Sequence, residues 1–458
     1  MSKQYQTALF LFHRDLRIND NKALLQACKQ AETVIPIFIF DPEQISTINS
    51  YKSDNAVQFM LESLKDLQEQ FKSRGARLNL FYGKPEKILK ELVTMLSIDA
   101  LFFNEDYTPF ALARDKAITQ VMEKFSVAVH SFQGLLLTDP KTLRNQSGKP
   151  YTVFTPFFNK ATEQGINEPE KNTYKNFYTK KIETAFDANQ NLFEKFSITK
   201  NSAIAVHGGT KQAEKILNHV DAFKQYAKTR DFPFLVTTHL SAHLKFGTVS
   251  PQQVIHSLKE HKADTTLIRQ LYWRDFYTHI AFHFPHVFGK AFNQNYQKVS
   301  WSHNKKAFEQ WCNGQTGFPI VDAGMRQLNT TGYMHNRVRM IVCSFLTKNL
   351  HIDWQWGEKY FAQKLVDYDP AVNNGSWQWG ASTGADAAPY FRVFNPWLQQ
   401  KKFDADCVYI KQWVPELRLI EPKEIHNYFN ATQPLTKEYP LPMVDHATTS
   451  QQAKKMFM

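Results

Sequence analysis

In the first 135 residues, short apolar runs alternate with stretches whose apolar positions recur at helical spacing. Residues 8–12, 34–40, 77–82, 100–103 and 126–130 read as strands. Between them, residues 23–28, 55–71, 85–96 and 110–125 carry the pattern of amphipathic helices. Alternation of this kind predicts an α/β domain with a doubly wound parallel sheet, helices covering both faces. Neither a GxGxxG nor a GxxxxGK[ST] fingerprint appears, and His207-Gly-Gly-Thr210 reads as a helix-entry turn only.

The texture changes twice along the chain. Residues 136–200 are rich in Lys, Asn, Thr and Pro and poor in either period, which predicts a long linker over the surface. Beyond it, residues 212–228, 251–261, 265–282, 305–311, 320–329, 335–350 and 357–367 all read as helices. The expected organisation is therefore an α/β domain (1–135), an interdomain linker (136–200) and an all-α domain (201–458).

Charge sharpens this division. The chain of 458 residues has a formal net charge of +12, yet residues 1–135 hold 16 basic and 16 acidic side chains. The whole excess lies in the remainder, and so do all nine Trp, from Trp273 to Trp413. A basic, aromatic-rich region suits a polyanion such as DNA, whereas a basic enzyme with a Trp-filled core fits the composition equally well. Four Cys without a CxxC pair exclude a disulfide framework and a zinc ribbon and fit a reducing cytoplasm. The longest apolar run is only strand-length, and the N-terminus lacks the basic-then-apolar order of a secretory signal. A soluble cytoplasmic protein is expected.

Several spacings bear on chemistry. Trp377 and Trp379, like Trp354 and Trp356, stand two apart, which turns the members of each pair to opposite helix faces. Trp301, Trp354 and Trp377 suit a buried relay with Trp379 toward a ligand; four unrelated core tryptophans fit the spacing as well. Asn336, Arg337 and Met340 read as one helix face suited to phosphate or base, while Arg339 points away and needs an acid, Asp367 or Asp369. Gln270 and Trp273 share a face that offers an amide beside an indole. Thr237, Thr238 and Ser241 place hydroxyls at a helix entry, fit for pyrophosphate or simply for capping. His279, His283 and His286 lack the companions of a metal site, so no metal is expected.

Taken together, these segments resemble the DNA photolyase/cryptochrome flavoproteins, and among them the class I photolyases that act on cyclobutane pyrimidine dimers. The resemblance runs from His13-Arg-Asp-Leu-Arg-Ile-Asn-Asp20 to Trp413-Val-Pro-Glu-Leu417 and is densest over residues 373–396. Residues 311–328 and 334–340 add to it. It implies an N-terminal antenna domain and a helical domain that encloses FAD. Carried onto this chain, Tyr226, Thr237, Thr238, His239, Leu240 and Ser241 match phosphate and ribityl contacts. Arg274, Arg339, Asp367 and Asp369 match the surroundings of flavin and adenine, and Asn373 the position facing flavin N5. Trp377, Trp354 and Trp301 match the electron relay, from flavin to surface. Arg230, Gln270, Trp273, Asn336, Arg337, Met340, Trp379 and Gln399 match contacts to the lesion or its DNA.

The activity so implied is blue-light-driven dimer repair, with an electron lent to a flipped-out lesion and returned. Two departures stand out. Gln270 replaces the glutamate of many dimer photolyases, and an amide cannot titrate. Phe110-Ala111 replaces the Asn-Glu pair that anchors a folate antenna, which leaves a deazaflavin, another flavin, a folate held differently, or no second chromophore. The rival activities are a cryptochrome-type photoreceptor, disfavoured by the ~40 residues after the matched core, and a (6-4) photoproduct lyase, whose histidine-bearing motif is not evident. A monomer with no obligate protein partner and no membrane contact is expected.

Overall fold

The computed structural model describes residues 3–188 and 191–458. Met1 and Ser2, part of the N-terminal reading, and linker residues 189–190 lie outside the described residues. Five parallel strands, β1 (Tyr5–Phe12), β2 (Ala31–Phe40), β3 (Asn79–Tyr82), β4 (Ala100–Asn104) and β5 (Ala128–Phe132), pair in the order β3-β2-β1-β4-β5. Successive side chains of β1 enter different cores. Ala8, Phe10 and Phe12 pack beneath the Lys22–Gln30 and Asp54–Lys72 helices, whereas Leu9 and Leu11 meet the Pro85–Leu96 and Pro109–Lys124 helices on the other face. Burial on both faces explains why the strands read as unbroken apolar runs. The helices start where side chains cap them: Asn21 accepts from Leu24 N, and Thr108 from Ala111 N.

The second half is helical. Its main core gathers side chains from the Pro319–Thr331, Asn336–Ser344, Trp354–Lys364 and Pro370–Ala381 helices. The expected helix over 335–350 begins at Asn336 and widens into a π-helical turn, Phe345–Asn349. That over 357–367 begins earlier, because Asp353 accepts from Gln355 N and caps a helix running Trp354–Lys364. The single helix expected over 212–228 is three pieces, Thr210–Leu217, Val220–Phe223 and Tyr226–Thr229. Only Ala213 and Val220 are buried within them, too few anchors to hold one long rod against the core.

The 136–200 segment does more than cross the surface. It contains the Phe154–Thr162 helix, whose Phe154 and Phe157 are buried against the Thr265–His283 helix. Farther on it lines the sheet edge that short β3 leaves open: Val34 N donates to Asn176 O and Tyr178 N to Val34 O, both at 2.8 Å. The two halves also meet directly. Leu16 N donates to Phe246 O, and Gly247 lies so close to the backbone of Arg14 and Asp15 that an added Cβ would sit 2.2 Å from Arg14 O.

Candidate active site

A cavity of about 480 Å³ opens in the helical half. Its walls come from the Thr265–His283, Asn336–Ser344 and Pro370–Ala381 helices and from the turn before Leu240–Phe246. Every residue expected around a cofactor lines it, from Tyr226 and the turn of Thr237, Thr238, His239, Leu240 and Ser241 to Arg274, Arg339, Asp367, Asp369 and Asn373. Arg230, Gln270, Trp273, Asn336, Met340 and Trp379 line it too.

Arg339, Asp367 and Asp369 are paired with little slack. Arg339 donates from Nη2 to both Asp367 carboxylate oxygens, at 3.2 and 2.9 Å, and from Nε to Met334 O. Asp367, not Asp369, is thus the acid that Arg339 needs. Asp369 instead caps the Pro370–Ala381 helix, accepting from Ala371 N and Val372 N, and takes Arg14 of the N-terminal half at 2.7 Å. Burial opposes its ionisation, but Arg14, Lys245 and Arg274 outweigh that and hold its carboxyl at about 2. Two residues along that helix from its first turn, Asn373 donates through Nδ2 to Glu358 O at 3.0 Å. Burial pushes the Glu358 carboxyl up to about 7, with hydrogen bonds from Asn373 and Tyr51 pulling against it.

The aromatic residues take distinct stations. Trp377 is buried on the cavity wall, edge-on to Phe361 with ring centroids 4.9 Å apart. Gly357 makes this approach feasible, since a Cβ there would lie 2.1 Å from the indole. Trp354 is buried in the same core, and half-buried Trp301 packs against that core beside Phe457. Neither Trp301 nor Trp354 lines the cavity. Trp273 stacks flat on Phe154, and Trp379, half-buried, lines the cavity along with the more deeply buried Trp377.

Two expected contacts lie elsewhere. Asn336 and Met340 do share a face, Asn336 Nδ2 standing 3.8 Å from Met340 Sδ, but Arg337 does not join them. One residue along a helix is a rotation of about 100°, and the guanidinium instead pairs with Asp231 at 2.7 Å over the Phe403 ring. Gln399 sits on the Pro396–Phe403 helix outside the cavity lining. Conversely, the sequence reading passed over Lys245, Tyr333 and His335, which all line it. Lys245 was findable, because it follows Ser241 by one helical turn. Among the described residues no His, Cys, Asp and Glu group has metal-binding geometry, and the four Cys are free and buried.

Known proteins place this arrangement. Residues 8–174 match the family model described as DNA photolyase, and residues 267–458 the model described as the FAD binding domain of DNA photolyase. The deoxyribodipyrimidine photo-lyase of Agrobacterium fabrum is 40% identical, with 99% of this chain and 98% of that protein aligned. The crystal structure of an archaeal photolyase from Sulfolobus tokodaii with two FAD molecules superposes at a TM-score of 0.89, with 40% identity and 99% of each chain covered. A class III photolyase from Agrobacterium tumefaciens superposes at 0.90, with 37% identity and coverage of 100% and 98%. The similarity reaches the family without singling out the class I branch. With relatives this similar over nearly the whole length, the chain belongs to the DNA photolyase/cryptochrome family.

Proposed function

We propose that this chain is a deoxyribodipyrimidine photo-lyase that holds FAD in the helical cavity and uses blue light to split cyclobutane pyrimidine dimers in DNA. The observation that carries this is one cavity combining a part-buried Arg339–Asp367 pair, the Asn373 amide and two flat indole walls, Trp273 and Trp379. The donor set fits FAD: hydroxyls of Thr237, Thr238 and Ser241, cations at Arg274 and Arg339, and a buried His335 Nε2 with no partner among the described residues. When bound, FAD supplies the light-excited electron donor that this chain's side chains lack.

The protein's own part is orientation, exclusion of water and charge. Arg339 and Asp367 present a donor and an acceptor locked to one another, which selects a ligand edge of alternating polarity. Because Asn373 gives its N–H to Glu358, its carbonyl oxygen is left as acceptor for an N–H of the ligand. Trp273 and Trp379 give apolar faces to a dimer drawn out of the duplex. Gln270 Nε2 holds Thr266 O at 3.2 Å and keeps a second N–H for a pyrimidine carbonyl. Ring opening yields two pyrimidines with no net oxidation or reduction. Trp377, Trp354 and Trp301 form the path by which an electron enters from the surface. Arg337 and Gln399, outside the cavity, are assigned to the flanking DNA rather than to the lesion.

The same proposal takes residues 1–135 as the antenna domain, 136–200 as linker and 201–458 as the FAD- and DNA-binding domain. Its second chromophore is a deazaflavin, folate or flavin; the two FAD molecules of the archaeal relative favour a flavin. The protein works as a cytoplasmic monomer with no obligate protein partner. Among the described residues no helix is long and apolar enough to cross a membrane. Irradiating the protein under blue light with oligonucleotides that carry either a thymine dimer or a (6-4) product tests the function. Loss of the dimer alone, and only in light, is expected; binding without loss would make the chain a photoreceptor, and loss of the (6-4) product a different lyase.

A further inference from the structure

Lys245 differs from Arg274 and Arg339, the paired cations of the cavity wall, and from Arg230, which is exposed to solvent. It lines the wall one helical turn after Ser241, yet among the described residues its ammonium enters no hydrogen bond and no ion pair within 4.0 Å, and it lies over the Phe246 ring, 5.1 Å from the centroid. The groups that face it are Arg14 and Asp106 from the N-terminal half and Asp369 and Arg274 from the helical half. Both acids are already engaged: Asp369 with Arg14 at 2.7 Å, and Asp106 with Arg14 Nε at 3.6 Å. Two cations therefore offset two acids around the ammonium, and burial decides its charge. On its own helix, His239 and His243 add no charge at neutral pH, since burial lowers both. Burial, helped by Arg14 and Arg274, brings the Lys245 ammonium down to about 7.

We propose that Lys245 is a proton-coupled anchor for an anionic group of FAD: the lysine takes up a proton as that anion arrives, and Arg14 across the domain boundary sets how readily it does so. The inference rests on FAD occupying the cavity. An anion beside the amine favours its charged form, so occupancy raises its proton affinity. Binding and protonation are then linked, and FAD is held less tightly as pH rises above the value at which free Lys245 loses its proton. Two anions fit this chemistry, the diphosphate in every redox state and the flavin ring once fully reduced.

Dilution of the purified yellow holoprotein between pH 6 and 9, with released FAD read by its fluorescence, tests the link. A colourless preparation would count against FAD binding itself, before any titration begins. For the wild type, Kd is expected to rise by about tenfold per pH unit once pH exceeds about 7. Lys245→Met is expected to bind FAD more weakly at pH 6 and to lose that slope, whereas Lys245→Arg, charged throughout, binds tightly with no slope. Glu358 also titrates near neutrality, and comparison with Lys245→Met separates its contribution. A second series under dithionite, in which the released fraction is separated by ultrafiltration and reoxidised in air before its fluorescence is read, assigns the anion: a slope in both series marks the diphosphate, and a slope in the reduced series alone marks the ring. A flat wild-type profile in both series, or an equal slope in Lys245→Met, overturns the proposal.

Discussion

The indole of Trp273 lies on the ring of Phe154, with centroids 3.6 Å apart and planes within 4° of parallel. One residue belongs to the linker and the other to a wall of the cavity. The linker thus backs the surface on which a flipped lesion is proposed to rest. Phe154→Ala removes a side chain that is 1% exposed, for which a loss of about 3–5 kcal/mol is typical. A lower urea midpoint is expected together with weaker binding of dimer-bearing DNA. Unchanged DNA affinity in a still-folded variant would mean that Trp273 needs no backing.

The Arg339–Asp367 pair yields a second expectation. Asp367→Asn leaves a mostly buried guanidinium without its counter-charge, and Arg339→Ala leaves the carboxylate unpaired. Both variants are expected to lose most of their FAD during purification, read as the ratio of visible to ultraviolet absorbance. Full retention in both would place the cofactor's polar edge elsewhere.

A third concerns the path from the surface. Trp301→Phe is expected to slow photoreduction of the oxidised flavin at least tenfold, because the half-buried indole is the outermost station. Repair by chemically reduced protein should not change. Trp377 also has Trp311 as a neighbour, at 6.1 Å between centroids, so unaltered photoreduction would route the electron through that side.

By the family resemblance, the Gln270 amide stands where many dimer photolyases carry a glutamate. Gln270→Glu is expected to keep repair and to equal or raise the yield per absorbed photon. A large loss would show that the amide is the better partner for this chain's lesion.

Glu358 gives a pH dependence of stability. Its carboxyl rises from an ordinary 4.5 to about 7 on folding, so the folded state binds the proton more tightly than the unfolded chain. The sign follows: this contribution is complete below about pH 4.5 and fades as pH rises through about 7. Glu358→Gln is expected to match the wild type near pH 5 and to exceed it by roughly 2–3 kcal/mol at pH 8.5 in urea titrations. Equal stabilities at pH 8.5 would contradict a carboxyl pushed up by burial.

Particular residues show what was legible in the sequence. The parallel sheet was, because strands buried on both faces are apolar at every position, as Leu9 and Phe10 are. The cavity lining was legible through the resemblance, whereas spacing alone said only that Trp377 and Trp379 face different ways; both line the cavity, Trp377 buried and Trp379 half-buried. Arg337 was misplaced because adjacent helix residues are turned by about 100°; only its partner, Asp231, 106 residues away in the chain, was beyond the sequence. Phe154 went unseen because its periodicity covers barely two turns within a polar stretch. Lys245 was findable as a lining residue from its spacing to Ser241, but the charges around it, Arg14 and Asp369, are far from it in sequence.

The chromophore content of the purified protein tests the central claim most directly. At least one FAD per chain is expected in the acid extract, and Asp367→Asn is expected to lose most of the cavity's FAD. A colourless polypeptide that cannot be reconstituted with FAD would contradict the account.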